Sequence, residues 1–536
     1  MRVEDFLKDT ARRLPDKCAL VADGVRMSYG ELDAMSDRLA ACFVQEGIEP
    51  GDRIAIFMGN RFEAVVAIFA AQKAGAVFSP VNPSTKADKL GFILNNCDAR
   101  AVVTEARLGP IAAEAIALLA PSVRLAIRVG GKESRIAPKT LSFEQALEEG
   151  SGGIGDPGID IDLSMLIYTS GSTGLPKGVM MTHLNVVTAV RSITSYLKKT
   201  EDDIVLSVLP ISFDYGLYQI LMAFSTGATL VLEKSFAFPR AILDRLAEER
   251  ATGFPLVPTM AAMILKMPDL KPESFPPLRF ITNTAAALPV AHIEALQRLF
   301  PHTEIYSMYG MTECKRCTYL PPEQLRQRPG SVGIAIPGTQ VFVVNERGKR
   351  LPAGQTGELV VCGAHVMKGY WKNPEATKKV LKPGPLPGES QLHTGDLFRT
   401  DDEGYLYFVG RKDDIIKSRG EKIAPKEVET VLHEIPEVSE AVVIGLPDPV
   451  LGLAVTAVIV LAGDSTVDKR QLLRHCRQRL EDFAVPASFE IRDELPKTAN
   501  GKVDRRLLCE MLMQESKRQQ MEPERPASPR ERNGRR

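Results

Sequence analysis

A glycine-rich segment at residues 168–178, YTSGSTGLPKG, contains the residue types that bind phosphate. It follows the apolar run 165–167, so it is predicted to be a loop leaving the end of a β-strand. Backbone N–H groups, hydroxyls and the Lys177 ammonium in such a loop can surround a polyphosphate, and glycine allows close approach. The segment is not a Walker A loop, because proline occupies the position of that motif's second glycine. A flexible linker would explain neither the preceding strand nor Lys177.

A single carboxylate, Asp214, interrupts an otherwise mostly apolar run at residues 204–224. Proline, glycine, glutamine and serine within this run argue against a membrane span, and an acid near the bilayer centre is costly. In a protein core an isolated carboxylate is also unfavourable unless it is paired or hydrogen-bonded. Asp214 is therefore predicted to have a partner, supplied either by the protein or by a ligand.

The composition excludes several classes of protein. Lys plus Arg and Asp plus Glu number 67 each, so no net charge would attract nucleic acid or anionic lipid. The amino-terminal segment lacks an apolar signal region, and eight cysteines in a chain of 536 residues do not form a disulfide scaffold. A cytoplasmic location is predicted. Cys314 and Cys317 form a lone C-x-x-C pair that is predicted to be incidental.

The elements that must position these residues follow an alternating pattern. Helical and strand patterns alternate from Tyr29 to about residue 130 and again from about 190 to 345, which predicts an α/β body with mostly parallel sheets flanked by helices. Between residues 330 and 410, short β runs broken by glycines predict a small antiparallel sheet or distorted barrel. The chain beyond residue 410 is predicted to form a compact α+β domain. The predicted divisions are a large domain at 1–410, a mobile lid domain at 411–515 and a disordered polar tail at 516–536.

Five further motifs follow the glycine-rich loop in order. They are YGMTE at 309–313, GELVVCG at 357–363, HTGDL at 393–397, GRKDDIIKSRGEKIAPKEVE at 411–430 and LPKTANGKVDR at 495–505. With the loop, these motifs resemble those of the adenylate-forming superfamily, which includes acyl-CoA synthetases, adenylation domains of nonribosomal peptide synthesis and luciferases. The resemblance covers about residues 20–510.

The resemblance implies a site that binds ATP and Mg²⁺. Joining a carboxylate to the α-phosphate of ATP brings two anions together, so the site must neutralise charge and align the attacking oxygen. Thr312 resembles the hydroxyl that touches the α-phosphate, and Glu313 resembles the magnesium ligand, a role that suits a hard carboxylate oxygen. The nucleotide-binding residues implied by the motifs are Thr169, Ser170, Gly171, Ser172, Thr173, Gly174, Lys177, Tyr309, Gly310, Met311, Asp396 and Arg411.

The same resemblance implies functions for three residues in the carboxyl-terminal part of the chain. Lys502 is implied to be the catalytic lysine that bridges the substrate carboxylate and the α-phosphate. The segment containing Gly420 resembles the strand that lines the tunnel for pantetheine, the thiol arm of CoA or a carrier protein. Asp413 resembles the pivot that lets one small domain serve both half-reactions.

The acid-binding pocket implied by the resemblance includes Asp214. Amino-acid-activating relatives have an aspartate after an aromatic residue in this segment, and its carboxylate binds the substrate's ammonium. Alternatively, Asp214 is the N-cap of a helix over residues 215–224, and both roles can hold together. The predicted pocket residues are Asp214, Tyr215, Tyr218, Ala285, Met308, Arg316 and Cys317.

The predicted function is that of an AMP-forming acid–thiol ligase that makes an acyl-adenylate and transfers the acyl group to a pantetheine thiol. Its acid is a small carboxylic acid, with an amino acid or another amine-bearing acid as the narrower prediction. The alternatives are a stand-alone aminoacyl adenylation enzyme that loads a carrier protein, an oxygenase of luciferase type, and a nucleotide-binding homologue without catalysis. The sequence does not decide between CoA and a carrier protein.

Overall fold

The computed structural model divides the chain into two compact units, Met1–Phe408 and Val409–Arg536. The residues that the structure describes are 1–132, 134–154, 158–169, 176–267, 269–275, 277–284, 288–418, 421–448, 451–463, 465, 467–498 and 502–521.

The helices begin at residues that suit helix starts. Ser28, Thr182 and Asp468 each accept a backbone N–H of the first turn and form a reciprocal capping box with the residue three positions on. The helices, in chain order, are α1 (Asp5–Arg13), α2 (Tyr29–Gln45), α3 (Phe62–Lys73), α4 (Ala87–Asn96), α5 (Gly109–Leu119), α6 (Phe143–Glu149), α7 (His183–Tyr196), α8 (Asp214–Thr226), α9 (Pro239–Glu248), α10 (Pro258–Leu265), α11 (Val290–Leu299), α12 (Pro374–Val380), α13 (Pro425–Leu432), α14 (Lys469–Arg479) and α15 (Arg505–Met521).

Most strands are short and rich in apolar and β-branched residues. In chain order they are β1 (Cys18–Ala22), β2 (Val25–Ser28), β3 (Arg53–Phe57), β4 (Val77–Val81), β5 (Ala99–Glu105), β6 (Leu125–Val129), β7 (Lys139–Ser142), β8 (Leu163–Thr169), β9 (Lys177–Thr182), β10 (Ile204–Ser207), β11 (Thr229–Leu232), β12 (Gly253–Leu256), β13 (Phe280–Asn283), β14 (Glu304–Tyr309), β15 (Thr318–Leu320), β16 (Ile334–Ala335), β17 (Thr339–Val344), β18 (Gly357–Gly363), β19 (Gly369–Tyr370), β20 (Leu381–Pro383), β21 (Ser390–Thr400), β22 (Leu406–Arg411), β23 (Ile416–Ser418), β24 (Glu421–Ile423), β25 (Val438–Asp448), β26 (Gly452–Leu461) and β27 (Ser488–Ile491).

Two large, mostly parallel sheets form the first unit. One sheet has the order β16-β15-β14-β13-β12-β10-β11-β1-β2, with parallel pairing from β14 through β1 and antiparallel strands at both edges. The other has the order β19-β9-β8-β4-β3-β5-β6-β7 and is parallel from β8 through β7. The predicted α/β class with mostly parallel sheets is confirmed.

Buried helices of the first unit pack together through aromatic side chains. Every residue of α3 from Glu63 to Lys73 is buried, as expected for an internal helix whose residues 64–71 are all apolar. The Phe224 ring of α8 stacks on Phe69 of α3 at 5.4 Å and meets Tyr29 of α2 edge-on at 5.5 Å. These contacts fix α8, whose amino-terminal end carries Asp214.

The smaller sheets follow the sequence-based predictions. β17, β18, β21 and β20 form an antiparallel sheet in that order within residues 339–400. In the second unit, β24, β23, β26 and β25 are antiparallel neighbours and β27 joins β26 in parallel. With α13, α14 and α15 these strands make an α+β unit. The final helix α15 continues to Met521, past the predicted start of the tail at residue 516.

The apolar run at residues 204–224 is divided between strand β10 and helix α8 rather than forming one helix. Over the described residues, we find no helix with the length and apolar character needed to span a bilayer.

Candidate active site

The glycine-rich loop is closed at its base by a β-hairpin. Strands β8 and β9 pair antiparallel, so that Thr169 and Lys177 lie opposite each other. Immediately after β9, a capping box at Thr182 starts helix α7, which anchors the hairpin. Thr169 and Lys177 therefore flank the predicted phosphate loop. The predicted loop residues Ser170, Gly171, Ser172, Thr173 and Gly174 lie outside the described residues.

A tyrosine connects Lys177 to Glu313. The Lys177 Nζ atom lies 5.3 Å from the centre of the Tyr370 ring, and the Tyr370 hydroxyl donates to Glu313 Oε1 at 2.7 Å. Tyr370 lies on β19, which pairs with β9 and so brings the tyrosine beside the hairpin. Two residues predicted from separate motifs, Lys177 and Glu313, are thus joined through a third that sequence reasoning missed.

Glu313 has the properties of a magnesium ligand that acts together with phosphates. It is 8% exposed, and a carboxylate retains lone pairs after one oxygen accepts a hydrogen bond. No cluster of three or more His, Cys, Asp or Glu side chains suited to a metal occurs in the described ranges. One carboxylate with substrate phosphates and water is a common arrangement for Mg²⁺, so this donor set fits that ion.

Tyr309 and Asp396, both predicted to bind the nucleotide, are in direct contact. The Tyr309 hydroxyl donates to Asp396 Oδ2 at 2.6 Å, and Asp396 is 5% exposed on β21. Burial, together with the charge of Asp396, holds the pKa of Tyr309 well above its ordinary value, so the phenol stays protonated. The Tyr309 ring packs against Phe398 at 4.8 Å. The buried carboxylate can therefore accept ribose hydroxyls from a fixed position.

The turn after β14 is unusually tight at Gly310. The Lys315 N–H donates to the Met311 carbonyl oxygen at 2.6 Å, and the Cys317 N–H donates to the Tyr309 carbonyl oxygen at 2.9 Å. A Cβ atom added to Gly310 would lie 1.7 Å from the Lys315 carbonyl oxygen. Glycine at 310 is required because the backbone folds back on itself there, which sets the position of the half-buried Thr312.

We expect Gly310→Ala to lower pyrophosphate release by about 100-fold, because the turn must open and displace Thr312 and Glu313 from the phosphate side of the site. Gly330→Ala is the matched control, since a Cβ there meets nothing within 4 Å. Steady-state pyrophosphate release and the thermal unfolding midpoint of both variants would be measured. Equal activity in the two variants would show that the turn does not position the chemistry.

The predicted acid-binding residues gather at the amino-terminal end of α8. The Tyr215 hydroxyl bonds the Thr282 carbonyl oxygen at 2.7 Å, and the Arg316 guanidinium lies 4.5 Å from the Tyr215 ring centre. Met308 is buried and contacts the Tyr196 hydroxyl through its sulfur at 3.0 Å. Arg316, in the turn after β14, thus contacts Tyr215 of α8, whereas Met308 of β14 contacts Tyr196 of α7; their role in binding the acid stays a prediction. The predicted pocket residue Ala285 lies outside the described residues.

Cys317 differs from the other predicted pocket residues in its contact. Its sulfur lies 3.0 Å from the sulfur of Cys314, and both thiols are fully buried. Burial raises the pKa of Cys314 well above its ordinary value, so this thiol is protonated and weakly nucleophilic.

Asp214 is buried but is not the helix cap. The helix begins at Asp214 itself, Phe213 occupies the capping position, and no side chain caps this end. The predicted N-cap role for Asp214 is therefore wrong by one residue. Asp214 is 6% exposed, and no hydrogen bond to its carboxylate is found among the residues that the structure describes.

A buried lysine that sequence reasoning missed lies beside Asp214. Lys315 is 1% exposed, and its Nζ atom lies 5.2 Å from the centre of the Tyr218 ring. Burial lowers the pKa of Lys315 to about 8, while the carboxylates of Asp214 and Glu313 act in the opposite direction. Lys315 is thus an electrostatic neighbour of Asp214, although no ion pair joins them among the described residues.

The remaining predicted residues belong to the second unit or its start. Arg411 ends β22, and Asp413 lies in a short 3-10 turn at Lys412–Asp414, both exposed. Lys502 is exposed, and its carbonyl oxygen accepts the Thr498 N–H at 2.7 Å. Gly420 lies outside the described residues. The catalytic role of Lys502 and the hinge at Asp413 stay predictions.

Comparison with known proteins identifies the class. A family model for AMP-binding enzymes matches residues 7–371, and a model for the AMP-binding enzyme C-terminal domain matches residues 427–502. The chain belongs to the AMP-binding enzyme family, and its predicted membership of the adenylate-forming superfamily is confirmed. It is an ATP-dependent, AMP-forming acid–thiol ligase of the acyl-CoA synthetase type, a class that uses ATP, Mg²⁺ and CoA.

Three relatives illustrate this similarity. The oxalate–CoA ligase of Arabidopsis thaliana is 31% identical over 95% of this chain and 98% of its own length. A feruloyl-CoA synthase from Amycolatopsis is 34% identical over 92% of this chain and 95% of its own length. The crystal structure of ATP-bound MatB from Rhodopseudomonas palustris is 30% identical, with a TM-score of 0.86 and coverage of 95% and 99% of the two chains.

Proposed function

We propose that this protein activates a small carboxylic acid with ATP, releasing pyrophosphate, and passes the acyl group of the resulting adenylate to CoA with release of AMP. The linked set Lys177–Tyr370–Glu313 is the observation that carries this proposal. It places a cation, a phenol and a carboxylate at the base of a glycine-rich loop, an arrangement suited to a metal-bound polyphosphate.

The residues of the first unit divide the work of holding ATP. Asp396, fixed by Tyr309, accepts the ribose hydroxyls and so orients the nucleotide. Thr312 hydrogen-bonds the α-phosphate, and Lys177 neutralises phosphate charge from the hairpin. Magnesium, when bound, withdraws charge from the phosphates and stabilises the pyrophosphate that leaves. Glu313 would hold it.

The second unit supplies residues for both half-reactions in this proposal. Lys502 stabilises the charge that develops between the acid's carboxylate and the α-phosphate during adenylation. Arg411 assists in holding the ribose, and Gly420 belongs to the segment that lines the thiol tunnel. The carboxyl-terminal family model matches residues 427–502, so it supports the role of Lys502 and does not reach Arg411 or Gly420.

The proposal also specifies which thiol accepts the acyl group and which kind of acid is activated. CoA is the favoured acceptor, since relatives over the full length are named CoA ligases, and a carrier protein is the alternative. An amine-bearing acid, bound through Asp214, is supported by the burial of that carboxylate without a described hydrogen bond. The neighbouring Lys315 opposes a protonated amine, because it adds a like charge.

We also propose that the enzyme acts in the cytoplasm.

Pyrophosphate release across a panel of fatty, aryl and amino acids tests the function. Each acid is supplied with ATP and Mg²⁺, first with CoA and then with a phosphopantetheinyl carrier protein, and thioester products are identified by mass. We expect acid-dependent pyrophosphate release followed by an acyl-CoA. Absence of turnover with every acid would contradict the proposal, and thioester on the carrier protein alone would favour the alternative acceptor.

We expect Asp413→Pro to slow thioester formation at least tenfold more than adenylation, because proline fixes φ at the pivot that must rotate between the two half-reactions. Asp413→Ala, which removes the side chain from the same 3-10 turn and leaves φ free, is the matched control. Pyrophosphate exchange reports adenylation, and acyl-CoA formation from supplied acyl-adenylate reports the second step. Comparable loss of both steps in Asp413→Pro would count against a hinge at this residue.

A further inference from the structure

Three buried polar groups meet where helix α8 begins. Asp214 and Tyr218 are four residues apart and so lie on the same face of the helix. The Lys315 Nζ atom lies over the Tyr218 ring at 5.2 Å, and the charge of Asp214 acts on both neighbours. A carboxylate, a phenol and an ammonium thus form one cluster, which we call the α8 polar cluster.

The α8 polar cluster lacks the hydrogen bonds that buried groups normally make. Within the described ranges, neither the Tyr218 hydroxyl nor the Lys315 ammonium has a hydrogen-bond partner. Among the described residues, no ion pair joins Asp214 to Lys315. Because buried polar groups in native proteins are nearly always satisfied, this cluster calls for a polar ligand group. Its members come from α8 and from the turn that also carries Glu313, and two of them, Asp214 and Tyr218, are among the residues predicted to bind the acid.

The charges around the cluster decide which ligand group fits. The electrostatic neighbours of Lys315 include the carboxylates of Asp214 and Glu313 and the guanidinium of Arg316, so charges of both signs act on its ammonium. A further ammonium would be repelled by Lys315, and a further carboxylate would be repelled by Asp214. A neutral group that donates one hydrogen bond and accepts another leaves this balance intact, because it can donate to Asp214 and accept from Lys315.

We propose that the α8 polar cluster recognises a neutral donor–acceptor substituent on the acid, a hydroxyl or an uncharged amine, and that Lys315 is the specificity-determining residue. The inference rests on the proposed function and narrows its substrate to hydroxylated or aryl-amine-bearing carboxylic acids. An aliphatic amino acid, whose amine is protonated, is disfavoured relative to the corresponding hydroxy acid.

Matched acids on two skeletons test the preference. On a benzoate ring and on a propanoate chain, the substituent is hydrogen, hydroxyl, amine or a second carboxylate, and kcat/KM for acyl-CoA formation is measured for each. We expect the best hydroxylated acid to exceed its unsubstituted parent by about 100-fold, because an acid without the group leaves buried polar atoms unpaired. Aminobenzoates, which are uncharged at the amine, should outperform alanine and β-alanine.

Variants separate recognition from folding. Lys315→Met should lower the hydroxylated-to-unsubstituted preference at least tenfold, mainly through KM, and Tyr218→Phe should lower it by a smaller factor without removing a charge. Lys199→Met is the matched control, because Lys199 is also buried, lies 5.4 Å from the Phe280 ring centre and has no described hydrogen-bond partner for Nζ. The preference in that variant should equal that of the wild-type protein.

Several results would overturn the inference. Equal rates with hydroxylated and unsubstituted acids, or a preference for ammonium-bearing or dicarboxylic acids, would overturn it while leaving the proposed function in place. An unchanged preference in both Lys315→Met and Tyr218→Phe would do the same. Absence of turnover with every acid would overturn the proposed function and this inference with it.

Discussion

Replacing Lys502 with alanine should lower the rate of acyl-adenylate formation by about 10³-fold while leaving thioester formation from supplied acyl-adenylate nearly unchanged. Adenylation joins two anions, and a fixed ammonium at the reacting oxygens stabilises charge that exists only in that transition state. The second half-reaction releases AMP and does not need this cation. Pyrophosphate exchange and CoA-dependent AMP release measure the two steps separately.

The control for Lys502 is a neighbouring lysine with a structural contact. Lys497 forms an ion pair with Glu440 at 2.9 Å, and both side chains are about one-third exposed, so its replacement by alanine should change stability slightly and adenylation little. Equal loss of adenylation in both variants would indicate a folding effect. Unchanged adenylation in Lys502→Ala would contradict the proposed mechanism.

Glu313→Gln should lower adenylation by about 10³-fold at low Mg²⁺ and by less at high Mg²⁺. The substitution retains shape and an oxygen that can accept from Tyr370, but it removes the charge that would hold the metal. Adenylation rates measured over a range of Mg²⁺ concentrations should show a higher half-saturating concentration for the variant. The same metal dependence in variant and wild-type protein would contradict this assignment.

Two further variants distinguish the metal role from packing. Glu63→Gln replaces a buried glutamate that is hydrogen-bonded by Arg61, and it should leave the Mg²⁺ dependence unchanged. Tyr370→Phe removes the hydroxyl that fixes Glu313 and should produce an intermediate loss. An effect of Glu63→Gln on metal dependence would show that the assay reports general destabilisation.

Local patterns predicted much of the fold because local preferences and tertiary packing agree there. Helix α2 begins at a capping box, and β3, α3 and β4 follow in the predicted alternation of strand and helix. The exact start of α8 was harder to predict. Aspartate is favoured at an N-cap, but here Phe213 takes that position and Asp214 enters the first turn.

The missed site residues depend on contacts that the local sequence does not encode. Tyr370 reaches Glu313 because β19 pairs with β9, and such pairing joins segments that are far apart along the chain. Lys315 lies in the segment CKRC, whose two basic residues are typical of an exposed turn. Packing against α8 nevertheless buries it. The only signal in the sequence was that Lys315 lies two residues after Glu313, the predicted metal ligand. That position does not indicate that the lysine is buried.

The turn after β14 directs neighbouring side chains to different partners. Glu313 meets Tyr370, whereas Lys315 and Arg316, two and three residues further on, lie over the rings of Tyr218 and Tyr215. Substitutions at positions 315 and 316 can therefore change which acids the enzyme accepts without changing the residues that hold ATP and Mg²⁺.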